Sequence, residues 1–180
     1  MFETGGGRGI VVGVAQMVTA CAEQNHLITY ALGSCIGLSA YDPVTKLGGI
    51  LHYMLPQPAE HADPQRLKPF VYATTGIPLL LRKLTEAGAQ QNRLVVCAAG
   101  GAEILVGAAV MAIGKRNRTI LRKILWKMGI TLVAEETGGR IARTMILNLK
   151  QGDVRIRCRD GDKVLWAPGM KVTAPKAIEP

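Results

Sequence analysis

The stretch LITYALGSCIGLSAYDPVTKLGGILHYMLP, residues 27–56, carries the pattern that decides the predicted fold. Two apolar runs typical of strands, residues 36–41 and 49–54, flank a short segment that begins with Asp42 and Pro43. Asp at the first position of a turn and Pro at the second favour a type I turn. The stretch therefore predicts a β-hairpin around which the rest of the chain is organised.

The register of this hairpin determines whether a thiol and an imidazole meet. If Asp42 and Thr45 close the turn as an opposing pair, Cys35 lies across from His52, with β-carbons roughly 4.5–5.5 Å apart. A bulge at the adjacent glycines 48–49 would alter that register, and a slip of one residue would put the two side chains on opposite faces. A thiol beside an imidazole is what a cysteine nucleophile with a general base requires.

Cys35 admits a structural and a catalytic interpretation. Free cysteines are among the most buried residues and are often inert. The small residues Gly33 and Ser34 precede Cys35, however, and the backbone amides of Ser34 and Cys35 are candidates to hold an oxyanion. His52 is the one histidine in an apolar strand-like run. Thr29 is a candidate to orient it, because a hydroxyl accepts a hydrogen bond from an imidazole N–H.

Length and composition indicate one globular domain, residues 1–180, with mobile segments expected at 1–9 and 166–180. The chain is 48% hydrophobic, which argues against a disordered protein. No apolar run reaches the length of about 18 residues that predicts a transmembrane helix, and the N-terminus has no apolar segment typical of a signal peptide. A reduced, cytoplasmic protein without membrane insertion is therefore expected. The cysteines show neither a CxxC pair nor zinc-binding spacing: Cys21, Cys35, Cys97 and Cys158.

The formal net charge of +9 indicates anionic partners, which include nucleic acid, an anionic membrane surface and an acidic protein. Aromatic residues make up only 4% of the chain, which disfavours a surface that stacks single-stranded bases. A nucleic-acid-binding protein thus remains an alternative that no motif supports. One face of a predicted helix is basic and is interpreted as a solvated face, with partner binding as the alternative: Arg118, Arg122, Lys123 and Lys127.

Two helices are predicted. The first spans residues 75–87, ends before Gly88, and accommodates Pro78 only if that residue lies in the first turn. The second begins with Asn117 as its N-cap and ends at Gly129. Its apolar stripe consists of Ile120, Leu121, Ile124, Leu125 and Met128. The apolar run before it, residues 104–113, is compatible with a strand or with a loop followed by a helix.

Short apolar runs elsewhere predict strands. They lie at residues 10–20, 27–32, 94–98, 130–134, 144–149 and 153–157. Four prolines between residues 56 and 69 indicate an exposed loop. The order of elements points to an α+β fold, with helices packed on a largely antiparallel sheet system.

The motifs of the central stretch resemble those of the CheD family of chemoreceptor glutamine deamidases. The segments that carry the resemblance are T-x-x-x-G-S-C at 29–35, YDP at 41–43, GGILHYMLP at 48–56, GGA at 100–102, IGKRN at 113–117 and ETGGRIAR at 136–143. The resemblance as a whole covers roughly residues 8–158 in consistent order. The Cys–His segment with its YDP turn is highly specific, whereas GGA or IGKRN alone is a weak motif.

The resemblance implies a bacterial cytoplasmic enzyme that converts glutamines of methyl-accepting chemotaxis receptors to glutamates. By position, Cys35 matches the family nucleophile, His52 its base and Thr29 the third catalytic member. The implied fold is a layered α/β/β sandwich with about two main helices outside mostly antiparallel or mixed sheets. The implied partners are the helical cytoplasmic domain of a chemoreceptor and the phosphatase CheC. No metal or organic cofactor is implied.

The expected chemistry is that of a cysteine-dependent amidohydrolase that acts through a thioester. The alternative is a non-catalytic module that binds a receptor or CheC. The sequence departs from the family pattern at Cys97 and Ala99, where Lys and Phe are usual, and at Thr74, where Asp is common. These departures lie outside the Cys–His–Thr set and are expected to affect partner binding or substrate choice.

Overall fold

The computed structural model of the chain describes residues 9–103 and 107–171, without the side chains of Pro64 and residues 107–112. The described α-helices and β-strands are β1 (Ile10–Val11), β2 (Gln16–Ala20), β3 (His26–Leu32), β4 (Ile36–Asp42), β5 (Leu47–Tyr53), α1 (Ala73–Glu86), β6 (Val95–Gly100), α2 (Gly107–Lys127), β7 (Leu132–Thr137), β8 (Arg143–Asn148), β9 (Val154–Cys158) and β10 (Gly161–Trp166). The segments predicted to be mobile, 1–9 and 166–180, lie mostly outside these residues. Trp166, however, is the buried last residue of β10.

The strands form two five-stranded sheets, ordered β1-β3-β8-β9-β10 and β2-β5-β4-β6-β7. The pairs β1–β3 and β6–β7 are parallel and the remaining pairs are antiparallel. One hydrophobic core lies between the sheets, and a second lies between the β2-β5-β4-β6-β7 sheet and the two helices. The molecule is therefore an α+β sandwich with layers in the order α/β/β, which confirms the expected fold class.

Alternation along β4 and β5 explains why one sheet serves both cores. Leu38 and Leu51 belong to the core beneath the helices, whereas Tyr41 and Ile50 belong to the core between the sheets. Successive side chains of a strand point to opposite faces, so a central strand covered on both sides is apolar along its whole length. His52 follows Leu51 and therefore faces the second sheet.

The hairpin predicted at Asp42 forms with a different register. Asp42 pairs with Leu47 and not with Thr45, so the loop has four residues. The Asp42 carboxylate accepts a hydrogen bond from the Val44 amide at 2.9 Å, and the Lys46 amide donates to the Asp42 carbonyl at 2.9 Å. Lys46 closes this wider turn in the left-handed region, at a φ of 57°. The prediction of a two-residue loop was wrong because the turn that Asp42 stabilises closes with the amide of Lys46 and not at Thr45.

Both helices begin earlier than predicted. α1 starts at Ala73, so Pro78 lies in the second turn and not in the first. α2 includes residues 107–113 of the ambiguous apolar run, while residues 104–106 lie outside the described chain. Asn117 is therefore in the interior of α2, and its predicted role as an N-cap was wrong. The predicted apolar stripe does pack against the sheet. Among the described residues, neither helix is both long enough and apolar enough to cross a bilayer.

Candidate active site

A hydrogen bond between Thr29 and His52 links the two sheets. The Thr29 Oγ1 and His52 Nδ1 atoms are 2.8 Å apart, and the two residues are 0% and 1% exposed. Thr29 lies on β3 in one sheet and His52 on β5 in the other. A buried polar pair of this kind fixes the orientation of the imidazole, because neither group has water as an alternative partner.

The residue across from His52 on β4 is Gly37 and not Cys35. The predicted pairing of Cys35 with His52 was therefore wrong by two residues. A register shift of two residues leaves each side chain on the same face of the sheet. A β-carbon on Gly37 would come within 2.8 Å of Leu32 Cδ1 and 3.2 Å of Thr29 Cγ2. The absence of a side chain at Gly37 therefore lets Thr29 approach the imidazole.

A β-bulge in β3 turns the chain toward Cys35. The register with β8 shifts between Thr29 and Leu32, and Ala31 has a φ of 55° in the left-handed region. The extra residue leaves both Thr29 and Leu32 buried, while Tyr30 is 50% exposed. The bulge thus keeps Thr29 directed at His52 and still brings the following loop to the protein surface.

The imidazole of His52 is neutral in this environment. Burial lowers the pKa of His52 below its ordinary value, so the imidazole is uncharged near neutral pH. If Thr29 accepts a hydrogen bond from Nδ1–H, the lone pair of Nε2 is free. Within the described part of the chain, Nε2 is buried and has no hydrogen-bond partner. A buried imidazole nitrogen without a partner is an unusual cost that a proton-transfer role would explain.

Cys35 lies one residue before β4, in the loop that joins β3 to β4, and its half-buried thiol is free. Burial raises the pKa of this thiol, and the hydrogen bond from its own backbone N–H offsets part of that increase. Since His52 Nε2 has no partner, no hydrogen bond joins Cys35 to His52 in this structure. Catalytic contacts in free enzymes are often long and tighten when substrate binds.

The carbonyl groups of the Cys35 loop are held from behind by three separate donors. The Gly33 carbonyl accepts from the Ala102 amide at 2.8 Å, and the Cys35 carbonyl accepts from the Gly101 amide at 2.7 Å. The Ser34 carbonyl accepts from the Asn117 side-chain amide at 2.9 Å. All three peptide oxygens are therefore fixed by groups that come from distant parts of the sequence.

The backbone amides of Ser34 and Cys35, unlike these carbonyl groups, are not held by hydrogen bonds to other residues. The Ser34 amide donates no hydrogen bond, and the Cys35 amide donates only to the thiol of its own residue, among the acceptors that the structure describes. Both residues are partly exposed, so their amides lie in a loop that a substrate can reach. Two backbone amides next to a thiol, neither of them bound to another residue, are the groups from which an oxyanion hole is built.

The three later motifs of the sequence meet behind this loop. Gly100 allows close approach, because a β-carbon there would lie 2.2 Å from the Cys35 carbonyl oxygen. Gly114 of α2 packs against the 100–102 segment, with the Ala102 carbonyl oxygen only 2.6 Å from a β-carbon placed on it. The Gly138 amide donates to the Gly100 carbonyl at 2.9 Å. The GGA, IGKRN and ETGGRIAR motifs thus form one scaffold for the Cys35 loop.

Asn117 is the site residue that sequence analysis missed. It was assigned to a helix end because asparagine is a favoured N-cap. A different observation in the sequence pointed to its position: Asn117 precedes Ile120 and Leu121 by three and four residues, which places it on the buried stripe of the helix. A polar residue on such a stripe needs partners inside the protein.

The residues that depart from the family pattern have different surroundings. Cys97 and Ala99 lie on β6 and are 0% exposed in the core between the sheets. Since a partner cannot touch them, the expectation that they alter partner binding is not supported for these two positions. Thr74 lies in the first turn of α1 and is partly exposed, and its amide donates to the Pro56 carbonyl.

The fold and the site define a class of protein: an α/β/β sandwich with a free, half-buried cysteine in the β3–β4 loop and a buried histidine that is hydrogen-bonded to a threonine. The sequence model of the family described as CheD chemotactic sensory transduction matches residues 54–158, which begin two residues after His52. This chain belongs to the CheD family.

Three similar proteins match most of the chain. A protein from Solibacter usitatus named "Probable chemoreceptor glutamine deamidase CheD" is 49% identical over 143 residues, which are 79% of this chain and 85% of that relative. A protein of the same name from Desulforamulus reducens is 43% identical, over 84% of this chain and 92% of its own. A third, from Pyrococcus abyssi, is 41% identical, over 88% of this chain and 96% of its own.

Proposed function

We propose that this protein is a chemoreceptor glutamine deamidase in which Cys35 is the nucleophile, His52 the general base and Thr29 the residue that orients His52. The observation that carries the proposal is the buried, neutral His52, held at Nδ1 by Thr29 and free at Nε2, whose strand partner Gly37 lies two residues after the free, half-buried Cys35. The names of the similar proteins support the choice of substrate. The substrate would be the cytoplasmic helical domain of a receptor, and the phosphatase CheC would be a further partner in the cytoplasm.

The reaction begins with a proton transfer. Because the pKa of Cys35 is raised and the pKa of His52 is lowered, the resting pair is a neutral thiol and a neutral imidazole. As substrate binds, the proton moves from Cys35 Sγ to His52 Nε2, and the sulfur forms a bond to the side-chain carbonyl carbon of glutamine. The electron pair of the C=O bond moves to oxygen, and the amides of Ser34 and Cys35 stabilise this oxyanion.

Breakdown of the tetrahedral species gives the thioester. The oxyanion re-forms the C=O bond, the C–N bond breaks, and His52 donates its proton to the nitrogen, which leaves as ammonia. His52 is then neutral again and can accept a proton from water as the water oxygen attacks the thioester carbon. The C–S bond breaks, His52 returns the proton to Cys35, and the product is a glutamate side chain.

A receptor fragment incubated with the protein tests the function directly. We expect the mass of specific glutamine-containing peptides to rise by about one unit per event, since hydrolysis replaces an NH2 group by OH. The measurement is peptide mass spectrometry of the fragment before and after incubation, with the fragment alone as the control for spontaneous change. If the fragment binds but gains no mass, the protein is a non-catalytic receptor-binding module.

Replacing Thr29 by valine tests whether Thr29 orients His52, because valine has nearly the same side-chain shape but no hydroxyl. We expect kcat to fall by about tenfold, the value of one buried hydrogen bond, because His52 loses the group that selects its tautomer. Thr29→Ser, which keeps the hydroxyl, is the matched control and should retain most of the activity. Equal rates for the valine and serine variants would remove Thr29 from the mechanism.

A further inference from the structure

The side chain of Asn117 makes two hydrogen bonds that link two segments of the site on the interior side of the Cys35 loop. Its Nδ2 atom donates to the Ser34 carbonyl at 2.9 Å and to the Met54 carbonyl at 2.8 Å. Asn117 is 0% exposed and lies in the middle of α2, where asparagine is a poor helix former. One amide group thus connects the loop that carries Cys35 with the end of the strand that carries His52.

The hydrogen bond to Ser34 also determines where the next amide points. The described peptide bonds are trans, and in a trans peptide the C=O of one residue and the N–H of the next point in opposite directions. Since Asn117 holds the Ser34 carbonyl toward the protein interior, the Cys35 N–H is directed away from it. The Ala102 amide does the same for the Ser34 N–H by holding the Gly33 carbonyl.

We propose that Asn117 is a positioning residue: it orients the Ser34–Cys35 peptide so that the Cys35 N–H faces the carbonyl oxygen of the reacting glutamine. The proposal rests on the proposed function, in which that oxygen becomes an oxyanion. Ala102 and Gly101 hold the neighbouring carbonyls through backbone amides, which no substitution other than proline removes. Asn117 is the side-chain donor of this set and is therefore the position at which the orientation can be tested.

Two reactions of Cys35 separate this role from general support of the fold. Deamidation develops negative charge on a carbonyl oxygen and needs an oriented amide. Alkylation by iodoacetamide forms an S–C bond and releases iodide, and no oxyanion develops at any point. If Asn117 orients the Cys35 amide, its loss slows the first reaction far more than the second.

The test compares Asn117→Ser with wild type in both reactions. We expect kcat for deamidation of a receptor fragment to fall at least tenfold, as expected when an oxyanion donor is misaligned, while KM stays within about twofold. The alkylation rate of Cys35, followed by mass spectrometry of its peptide, should stay within about threefold. If the serine variant does not fold, Asn117→Ala is judged by the same rates, because alanine is the best helix former.

Two control variants lie on or beside the same helix. Gln91→Glu removes a side-chain amide that donates to the Met128 carbonyl near the end of α2, away from the site. Leu125→Ala removes a buried side chain of α2 that packs in the core and should lower the Tm at least as far as Asn117→Ser. Both controls should keep kcat within about twofold of wild type.

Three results would overturn the proposal: an unchanged kcat in Asn117→Ser, a parallel loss of alkylation and deamidation, or an equal loss of kcat in Leu125→Ala. Failure of the proposed function is a separate result. If Cys35→Ala still deamidates the fragment, the nucleophile assignment falls. If only Asn117→Ser behaves as wild type, the nucleophile stands and the positioning role falls.

Discussion

Replacing Cys35 by alanine is expected to lower kcat for receptor deamidation by roughly 10⁴-fold or more, the scale seen when a covalent nucleophile is removed. The reason is that the thioester cannot form, and water is a weak nucleophile toward a carboxamide. Binding of the receptor fragment should persist, because the substitution removes a single sulfur atom from a half-buried loop. The measurement is the mass gain of the fragment under single-turnover conditions.

The other cysteines supply the controls for this result. Cys158 is half-buried and free, like Cys35, but lies at the end of β9, so Cys158→Ala should leave kcat unchanged. Cys97 should resist alkylation, since burial raises its pKa to about 12. Full deamidation by the Cys35→Ala variant would show that another group is the nucleophile.

Replacing His52 by asparagine is expected to lower kcat by about 10²–10⁴-fold, the usual contribution of a general base. Asparagine can still place a polar atom near Thr29 Oγ1, where Nδ1 now lies, but it has nothing at the position of Nε2. The substitution therefore removes the base and retains the buried contact between the sheets. His61→Asn, in an exposed loop, is the matched control and should behave as wild type.

The pH dependence gives an independent readout of the same assignment. Because burial lowers the pKa of His52, the wild-type enzyme should keep its kcat/KM down to a pH below the ordinary histidine value of about 6.5 and lose it only as the imidazole becomes protonated. Burial raises the pKa of Cys35, so the alkaline limb should lie above the ordinary thiol range. His52→Asn should lack the acidic limb, and a limb that persists would assign it to another group.

The sequence predicted most strands and the layers they form, because long apolar runs have few alternatives to burial. β10 was missed: Asp162 and Lys163 break its apolar pattern, and it lies at the edge of its sheet, where one side of the strand faces solvent. The first turn of α2 was ambiguous because residues 104–113 are almost uniformly apolar. Neither the 3.6-residue period of a helix nor the two-residue period of a strand can be recognised in such a run.

At the site, the sequence placed Thr29 and His52 correctly as hydrogen-bonding partners but gave the wrong cross-strand partner for His52. The register depends on the Asp42 side chain, whose carboxylate also accepts hydrogen bonds from Gln90 and Arg93 far along the chain. Asn117 was misassigned for a similar reason. Its amide binds Ser34, a contact between residues 83 positions apart that local propensities cannot contain.

The support of the Cys35 loop by remote segments limits how the site can be transplanted. A miniature protein made from the β3–β5 region alone would carry the thiol, the imidazole and the threonine, yet none of the donors from residues 100–102 or from α2. The carbonyl groups of its loop would form hydrogen bonds with water instead, and the loop would no longer be held in the orientation that it has in the whole protein. Any designed host must therefore supply equivalents of the buried Asn117 side-chain amide and of the Gly101 and Ala102 backbone amides to hold the carbonyl groups of the cysteine loop.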